Sequence, residues 1–237
     1  MRFFLPLIDL KDGVSVLLML HGFTGGPGAF THFADQLSVP YTTLTLPGHG
    51  TDKENINTIT AEGMITAVED KVSELKRRYR KVYIAGWSMG GALALLSEKA
   101  DGVFLFAPAV TEKPMVVTKP VKVFSPAMLN PKLAELCDSD DLEIIRYFLQ
   151  TDITPANQML FGLCQRVRKT VRSYDRPIYS FLGMKDPCIN YDEASAYLSS
   201  IGSPVISCPE STHAILYDVA SPEVIKQAAG IIMKEMI

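Results

Sequence analysis

Six short apolar runs, each followed by a turn or helical pattern, constrain the fold of this chain more than any other feature. The runs are rich in Val, Ile, Tyr and Phe and are apolar on both faces, as the strands of a covered parallel sheet must be. They lie at Val14–Leu20, Tyr41–Leu46, Lys81–Gly86, Gly102–Phe106, Pro177–Leu182 and Pro204–Cys208. Helical patterns lie at Gly28–Leu37, Thr60–Tyr79, Ser88–Ala100, Asp192–Ser200 and Pro222–Met236. This alternation predicts an α/β fold with a doubly wound, mostly parallel sheet.

The composition is typical of a single globular domain with no strong charge. The chain has 237 residues, 47% of them hydrophobic, and a formal net charge of −3, so we expect no attraction to nucleic acid or anionic membranes.

No apolar run reaches the roughly 20 residues of a membrane span. The apolar N-terminus is broken by Pro6 and ended by Asp9, without a signal-peptide cleavage site behind it. The four cysteines show no C-x-x-C spacing, which favours a reducing, cytoplasmic location and predicts no metal site.

One stretch, from Thr111 to Asp175, interrupts the alternation. It holds several prolines and two predicted helices, Asp141–Gln150 and Pro155–Arg172, but no convincing central strand. Insertions of this length are usually functional. We therefore predict one core domain formed by residues 1–110 and 176–237, and a short helical lid insertion formed by residues 111–175. Residues Phe3–Ile8 are predicted to add an antiparallel strand at the edge of the sheet.

The strongest chemical signal is the pattern Gly86-x-Ser88-x-Gly90. A serine on a sharp strand-to-helix turn needs neighbours without side chains, hence a glycine two residues before it and another two after it. A β-branched strand precedes the pattern and a helix of Ala and Leu follows it, which is the context that the pattern requires. We therefore predict that Ser88 is a nucleophile rather than part of a glycine-rich structural turn.

A serine hydroxyl needs a base to take its proton and an acid to orient that base. With this type of turn, the acid and the histidine follow the serine along the chain. His213 is the only histidine after Ser88, and it follows the last strand, at the sheet edge where open α/β sheets bind ligands. Asp186 follows the preceding strand and is the predicted acid. Its competitor Asp192 begins the next helical pattern, where an N-cap or first-turn role explains it.

A carbonyl under attack also needs two N–H donors for its developing negative charge. Met89 supplies one backbone N–H as the first residue after the nucleophile, and Phe23 supplies the other from the glycine-rich loop after the first strand. That loop lacks the pattern G-x-G-x-x-G, so we expect no dinucleotide, and no other cofactor is implied. His21 and His49, in the loops after the first two strands, are predicted to be structural.

These motifs resemble those of the α/β-hydrolase superfamily, and within it the small carboxylesterases and monoacylglycerol lipases. The resemblance covers nearly the whole chain outside the insertion, in the blocks His21–Gly25, Leu46–Thr51, Gly86–Gly91, Gly183–Asp186 and Ser211–His213. It implies the α/β-hydrolase fold and a Ser88–Asp186–His213 triad. It further implies hydrolysis of a small or medium-chain carboxylic ester through an acyl-serine, with a small-molecule ester as the partner and neither cofactor nor metal.

Other functions stay open on the sequence. Thioesterases and enzymes that cleave carbon–carbon bonds or eliminate acids use the same triad, and no residue here distinguishes them from an esterase. A binding protein with this fold would tolerate the loss of triad residues, yet all three are present. Apolar residues of the insertion, such as Met159 and Phe161, can line an acyl pocket or pack in the core and are not assigned to the site. No pattern indicates an oligomeric state.

Overall fold

The computed structural model describes residues 14–49, 56–111 and 153–237. Within them, six strands form one sheet in the order β2-β1-β3-β4-β5-β6, and every neighbouring pair is parallel. The strands are β1 (Ser15–Leu20), β2 (Tyr41–Leu44), β3 (Lys81–Trp87), β4 (Gly102–Phe106), β5 (Ile178–Gly183) and β6 (Val205–Cys208). Each predicted run forms one of these strands, so the predicted parallel α/β sheet is confirmed.

The helices lie on both faces of the sheet. Those of the described residues are α1 (Thr31–Ala34), α2 (Ala61–Leu75), α3 (Met89–Leu96), α4 (Thr154–Thr170), α5 (Tyr191–Ser200) and α6 (Ser221–Met236), with 3₁₀ turns at Pro27–Phe30 and Ile56–Thr58. The prediction of one helix over Gly28–Leu37 is wrong in its extent, since a 3₁₀ turn is followed there by the four residues of α1. Glycine and β-branched threonine are weak helix formers, so nothing local extends this helix.

The alternation of side chains along β1 divides the core into two layers. Val16, Leu18 and Leu20 belong to the layer that also contains α2 to α5, while Leu17 and Met19 belong to the layer with α1 and α6. All six residues of β1 are buried, as expected for a central parallel strand. The edge strands β2 and β6 are only partly buried, so the expectation of burial on both faces fails at the two edges, where each strand has one neighbour.

The described part of the predicted insertion is one long helix. The predicted helix Pro155–Arg172 is present as α4, whose residues Leu160, Leu163 and Val167 pack in the same core layer as α3. The predicted helix Asp141–Gln150 and the predicted strand Phe3–Ile8 lie outside the described residues, and the boundaries of the lid stay a prediction. In the three described ranges, no helix has the length and apolar character needed to cross a membrane.

The carboxyl ends of the parallel strands meet along one edge of the sheet. Ser88 directly follows β3, Asp186 lies in the turn after β5, and His213 lies in the loop after β6. Phe23 belongs to the loop after β1. The loops that carry these candidate site residues therefore all leave the sheet at the same edge, as the sequence predicts for an open α/β sheet.

Candidate active site

The turn between β3 and α3 holds Ser88 in an unusual backbone conformation. Its φ is 53° and its ψ is −113°, a combination that residues with side chains rarely adopt. Four hydrogen bonds hold this strained residue. Its N–H donates to the Phe106 carbonyl at 2.9 Å, and its own carbonyl accepts from Gly91 at 3.0 Å, from Ala92 at 3.1 Å and from Ala109 at 2.9 Å. The end of β4 and the segment after it thus fix the Ser88 backbone from outside the turn.

The two glycines of the pattern are required by close backbone approach. A Cβ atom on Gly86 would lie 2.3 Å from the Gly90 carbonyl oxygen, and a Cβ atom on Gly90 would lie 2.1 Å from the Leu20 carbonyl oxygen. Both distances are far inside van der Waals contact, and the obstructing atoms are backbone atoms that cannot rotate away. The turn is therefore closed only with glycine at both positions, which is the physical reason for the pattern.

Replacing Gly90 with alanine is expected to destabilise the fold by about 3 kcal/mol or more, because the new methyl group collides with the end of β1. The control is Gly230→Ala on the exposed side of α6, where a Cβ atom meets nothing within 4 Å. That substitution should stabilise the protein by up to about 1 kcal/mol, since alanine is the better helix former. Urea unfolding of both variants measures the difference, and similar midpoints would contradict this explanation of the turn.

His213 contacts Ser88 through one ring nitrogen. The distance from His213 Nε2 to Ser88 Oγ is 3.0 Å. The backbone carbonyl of His213 accepts a hydrogen bond from Trp87 Nε1 at 2.9 Å, and the indole and imidazole ring centroids lie 6.0 Å apart. The residue before the serine thus holds the loop of the histidine, which couples the positions of the two side chains.

Asp186 contacts the other ring nitrogen of the same histidine. Its Oδ2 lies 2.9 Å from His213 Nδ1, and the side chains of Asp186 and His213 are only 2% and 6% exposed. Its Oδ1 accepts the N–H groups of Cys188 at 2.7 Å and Ile189 at 2.9 Å. Three N–H groups thus hold the carboxylate, and a carboxylate that accepts the Nδ1–H leaves the Nε2 lone pair directed at the serine.

The competing aspartate lies in a different environment. Asp192 is exposed in the first turn of α5, and the N-cap of this helix is Asn190, whose side chain accepts the N–H of Glu193 at 2.9 Å. Of the two structural roles predicted for Asp192, the N-cap role is therefore wrong and the first-turn role is confirmed. A negative charge at this point stabilises the helix through its dipole.

Asp218 is a buried carboxylate that the sequence analysis missed. It is 1% exposed and accepts hydrogen bonds from the Thr212 N–H at 2.6 Å, the Ala220 N–H at 3.1 Å and the Ser211 hydroxyl at 3.4 Å. Burial raises the pKa of Asp218 above its usual value, against the effect of these bonds. Because Ser211 and Thr212 directly precede His213, Asp218 anchors the segment that carries the histidine.

The two predicted N–H donors belong to segments next to the serine. Met89 begins α3, and the N–H groups of the first turn have no partner within a helix. The loop that carries Phe23 passes close to the serine, because a Cβ atom on Gly22 would lie 3.4 Å from the Ser88 Cβ. Outside helix and strand ladders, no backbone hydrogen bond among the described residues uses either N–H. Both groups can therefore donate to an oxygen bound at Ser88.

His21 and His49 support this loop as neutral side chains. His21 Nδ1 donates to the Gly22 carbonyl at 2.9 Å, and its Nε2 accepts the Leu46 N–H at 3.0 Å. His49 Nδ1 donates to the Pro47 carbonyl at 2.9 Å, and the two imidazole centroids lie 5.1 Å apart. Burial lowers the pKa of His21 to about 3, with the neighbouring His49 adding to the effect, and burial lowers the pKa of His49 to about 4.

These two histidines are expected to make the fold unstable in acid. An unfolded histidine titrates near pH ~6.5, so the unfolded chain binds more protons than the folded chain below that pH. Stability is therefore complete above pH ~6.5 and is lost as the pH falls towards the two lowered values. Each histidine contributes a loss of up to about 1.4 kcal/mol per pH unit. Urea unfolding at pH 7 and pH 5 should show a fall of roughly 4 kcal/mol.

The control for this prediction is His49→Asn, whose amide nitrogen can replace Nδ1 as the donor to the Pro47 carbonyl. This variant should lose about half of the acid sensitivity, because one of the two titrating groups is gone. A free energy of unfolding that does not change between pH 7 and pH 5 in the unmodified protein would contradict the assignment of two buried neutral histidines.

Comparisons with known proteins identify the family of this chain. Residues 17–228 match the model of the alpha/beta hydrolase family, so the chain belongs to that family and the resemblance of its motifs is confirmed. A thermostable monoacylglycerol lipase of Bacillus sp. (strain H-257) is 26% identical over 231 residues, which are 92% of this chain and 90% of that protein.

Solved structures show the same fold. The monoacylglycerol lipase of Paleococcus ferrophilus has a TM-score of 0.70 at 17% identity, covering 92% of this chain and 94% of that one. Est1E of Butyrivibrio proteoclasticus, solved with ferulic acid bound, has a TM-score of 0.65 at 17% identity, covering 93% of this chain and 88% of that one. The predicted α/β-hydrolase fold is thereby confirmed.

Proposed function

We propose that this α/β hydrolase cleaves carboxylic esters of small or medium-chain acyl groups through an acyl-serine intermediate on Ser88. One observation carries the proposal, namely the continuous path from Asp186 Oδ2 to His213 Nδ1 at 2.9 Å and from His213 Nε2 to Ser88 Oγ at 3.0 Å. In this arrangement the neutral imidazole donates to the carboxylate and accepts the serine proton. A hydroxyl oriented in this way is an activated nucleophile.

The reaction then has two halves with the same groups. Ser88 Oγ attacks the ester carbonyl carbon while His213 takes the proton, and the carbonyl oxygen becomes an oxyanion held by the N–H groups of Phe23 and Met89. His213 returns the proton to the leaving alcohol, and the acyl group stays on Ser88. Water, deprotonated by His213, hydrolyses this acyl-serine and restores the free enzyme. Asp186 stabilises the imidazolium formed in each half.

The apolar surroundings of the oxyanion site support an ester with a hydrocarbon acyl group. The side chain of Phe23 packs against a small cluster of Ile56, Ile153 and Ala156, separate from the two main core layers. The residue whose N–H we assign to the oxyanion therefore also packs its side chain against apolar neighbours. This apolar packing, together with the monoacylglycerol lipases among the similar proteins, favours lipase or esterase activity.

We extend the proposal to the insertion through its described residues. Helix α4 begins at Thr154, and the Ala156 N–H donates to Asn57 Oδ1 at 3.3 Å. Ile153 and Ala156 lie in the cluster against which Phe23 packs, so the start of α4 contacts the residue that supplies one of the two proposed oxyanion donors. In this position the insertion acts as the lid of the acyl pocket.

Turnover of p-nitrophenyl esters of graded chain length tests the proposed function. We expect the highest kcat/KM with butyrate to octanoate, and a value at least about tenfold lower with palmitate, because a pocket that fits the shorter chain excludes the excess methylenes. Acyl-CoA thioesters of the same acyl groups, measured in parallel, should react more slowly than the esters. Preference for the thioesters would replace the ester assignment, and no turnover of either class would contradict the proposed function.

A further inference from the structure

Three side chains with metal-binding atoms lie together on the side of the triad away from Ser88. The Asp186 carboxylate, the Cys188 thiol and the His213 imidazole each offer one such atom, and these atoms lie within 4.8 Å of one another. The contacts of the turn after β5 bring them together, since Asp186 accepts the Cys188 N–H at 2.7 Å and contacts His213 Nδ1 at 2.9 Å. The group is thus built into the site rather than formed by mobile surface side chains.

These three ligand types suit Zn²⁺ better than a hard cation. Zinc binds thiolate sulfur at about 2.3 Å, imidazole nitrogen at about 2.0 Å and carboxylate oxygen at about 2.1 Å, usually in tetrahedral geometry. Tetrahedral geometry at these bond lengths places the ligand atoms about 3.3–3.6 Å apart. To hold a zinc ion, Asp186 Oδ2 and His213 Nδ1 must therefore move apart by roughly half an ångström. Cys188 Sγ, which lies at most 4.8 Å from these two atoms, must move closer to them by a rotation of its side chain.

Cys188 differs from the other described cysteines in its exposure. Cys164 and Cys208 are buried, whereas Cys188 is only half-buried, so a cation can reach the group from the thiol side. The adjacent Lys185 ammonium, which would repel a cation, is paired with Glu210. The carboxylate of Asp186 supplies the negative charge of the group itself.

We propose that Zn²⁺ binds to Asp186 Oδ2, Cys188 Sγ and His213 Nδ1 and thereby inhibits the enzyme. Bond formation to the sulfur releases the thiol proton to solvent. Bond formation to Nδ1 needs the lone pair of that nitrogen, so the imidazole proton moves from Nδ1 to Nε2. Nε2 then presents an N–H to Ser88 and cannot accept the serine proton. One proton is released for each cation bound, and the cation is an inhibitor rather than a cofactor.

The inhibition rests on the proposed role of His213, whereas the binding does not. The experiment therefore measures both on the full chain after treatment with EDTA and removal of the chelator. Ester turnover is measured with increasing ZnCl₂, with MgCl₂ as the hard-cation control. Binding is measured separately with CdCl₂ through the ultraviolet absorption of the Cd–thiolate bond, in the unmodified protein and in Ser88→Ala, where no turnover is needed.

The decisive variants are Cys188→Ser and Cys208→Ser, each compared with its own rate without metal. Zinc should inhibit the unmodified protein reversibly, with EDTA restoring the rate. Cys188→Ser should raise the half-inhibiting zinc concentration by roughly 10–100-fold, which is the loss of metal affinity seen even when only a residue that supports a ligand is changed. Cys208→Ser should behave like the unmodified protein. Cadmium is titrated in a Cys137→Ser background, since Cys137 lies outside the described residues, and should give one thiolate band that is absent only when Cys188 is also replaced.

Equal inhibition of Cys188→Ser and the unmodified protein would overturn the site, as would a cadmium band that persists when Cys188 is replaced in the Cys137→Ser background. A band that depends on Cys188 without any inhibition by zinc would overturn the inhibition and leave the binding. If no ester is turned over but the band depends on Cys188, the proposed function fails and the metal site stands. MgCl₂ should have no effect on the rate at the same concentrations.

Discussion

The Ser88→Ala variant should lose ester turnover by about 10⁴-fold or more while keeping its fold. Alanine occupies the same strained backbone position as serine and removes only the hydroxyl that His213 Nε2 contacts at 3.0 Å. The oxyanion donors remain, so a small residual rate above the uncatalysed reaction is expected. Initial rates with p-nitrophenyl butyrate measure the loss, and circular dichroism checks the fold.

The matched control is Ser97→Ala at the other end of α3. Its buried hydroxyl contacts Glu69 Oε1 at 2.5 Å, so the substitution should lower stability. It should leave kcat within about twofold, because this contact lies away from the reacting atoms. A Ser88→Ala variant with more than a few per cent of the original kcat would show that another residue is the nucleophile.

The Asp186→Asn variant should lose turnover by up to about 10⁴-fold, the figure known for the equivalent change in a serine protease. An asparagine can donate its amide N–H to Nδ1, which places the imidazole proton on Nε2, the wrong nitrogen for accepting the serine proton. The Cys188 and Ile189 N–H groups still have an acceptor, so the turn should keep its shape. Measured kcat should fall much more than KM changes.

Asp192→Asn is the control for this substitution. Asp192 lies exposed in the first turn of α5, and its neutralisation should cost at most about 1 kcal/mol of stability and leave kcat unchanged. If Asp192→Asn were inactive and Asp186→Asn active, the acid of the triad would be misassigned and the turn after β5 would be structural only.

The sheet and the order of the site residues were predictable because they depend on local patterns. Each central strand is a short apolar run, and a parallel sheet places the ends of all such runs at one edge. The Gly86-x-Ser88-x-Gly90 pattern reflects the close approach of Gly86 to the backbone of Gly90 within one turn, and of Gly90 to the end of β1. Chain order then selected His213, and the position after β5 selected Asp186 over Asp192.

Other features depend on contacts that no local pattern records. Asp218 follows the apolar run Ala214–Tyr217, where its burial and its bond to the Thr212 N–H arise only from tertiary folding. The neutral state of His21 follows from its complete burial, and its acceptor role towards the Leu46 N–H requires two different strand ends to meet. The proximity of Cys188 to His213 likewise depends on the loops after β5 and β6 lying side by side.

A fluorophosphonate probe tests the central claim most directly, because it forms a stable covalent adduct only with an activated serine. The labelled protein should carry one probe per chain, and mass spectrometry of its peptides should place that probe on Ser88. Ser88→Ala should carry none, and Asp186→Asn should be labelled far more slowly than the unmodified protein. A probe found on another residue, or labelling of Ser88→Ala at the original rate, would contradict the assignment of Ser88 as the nucleophile.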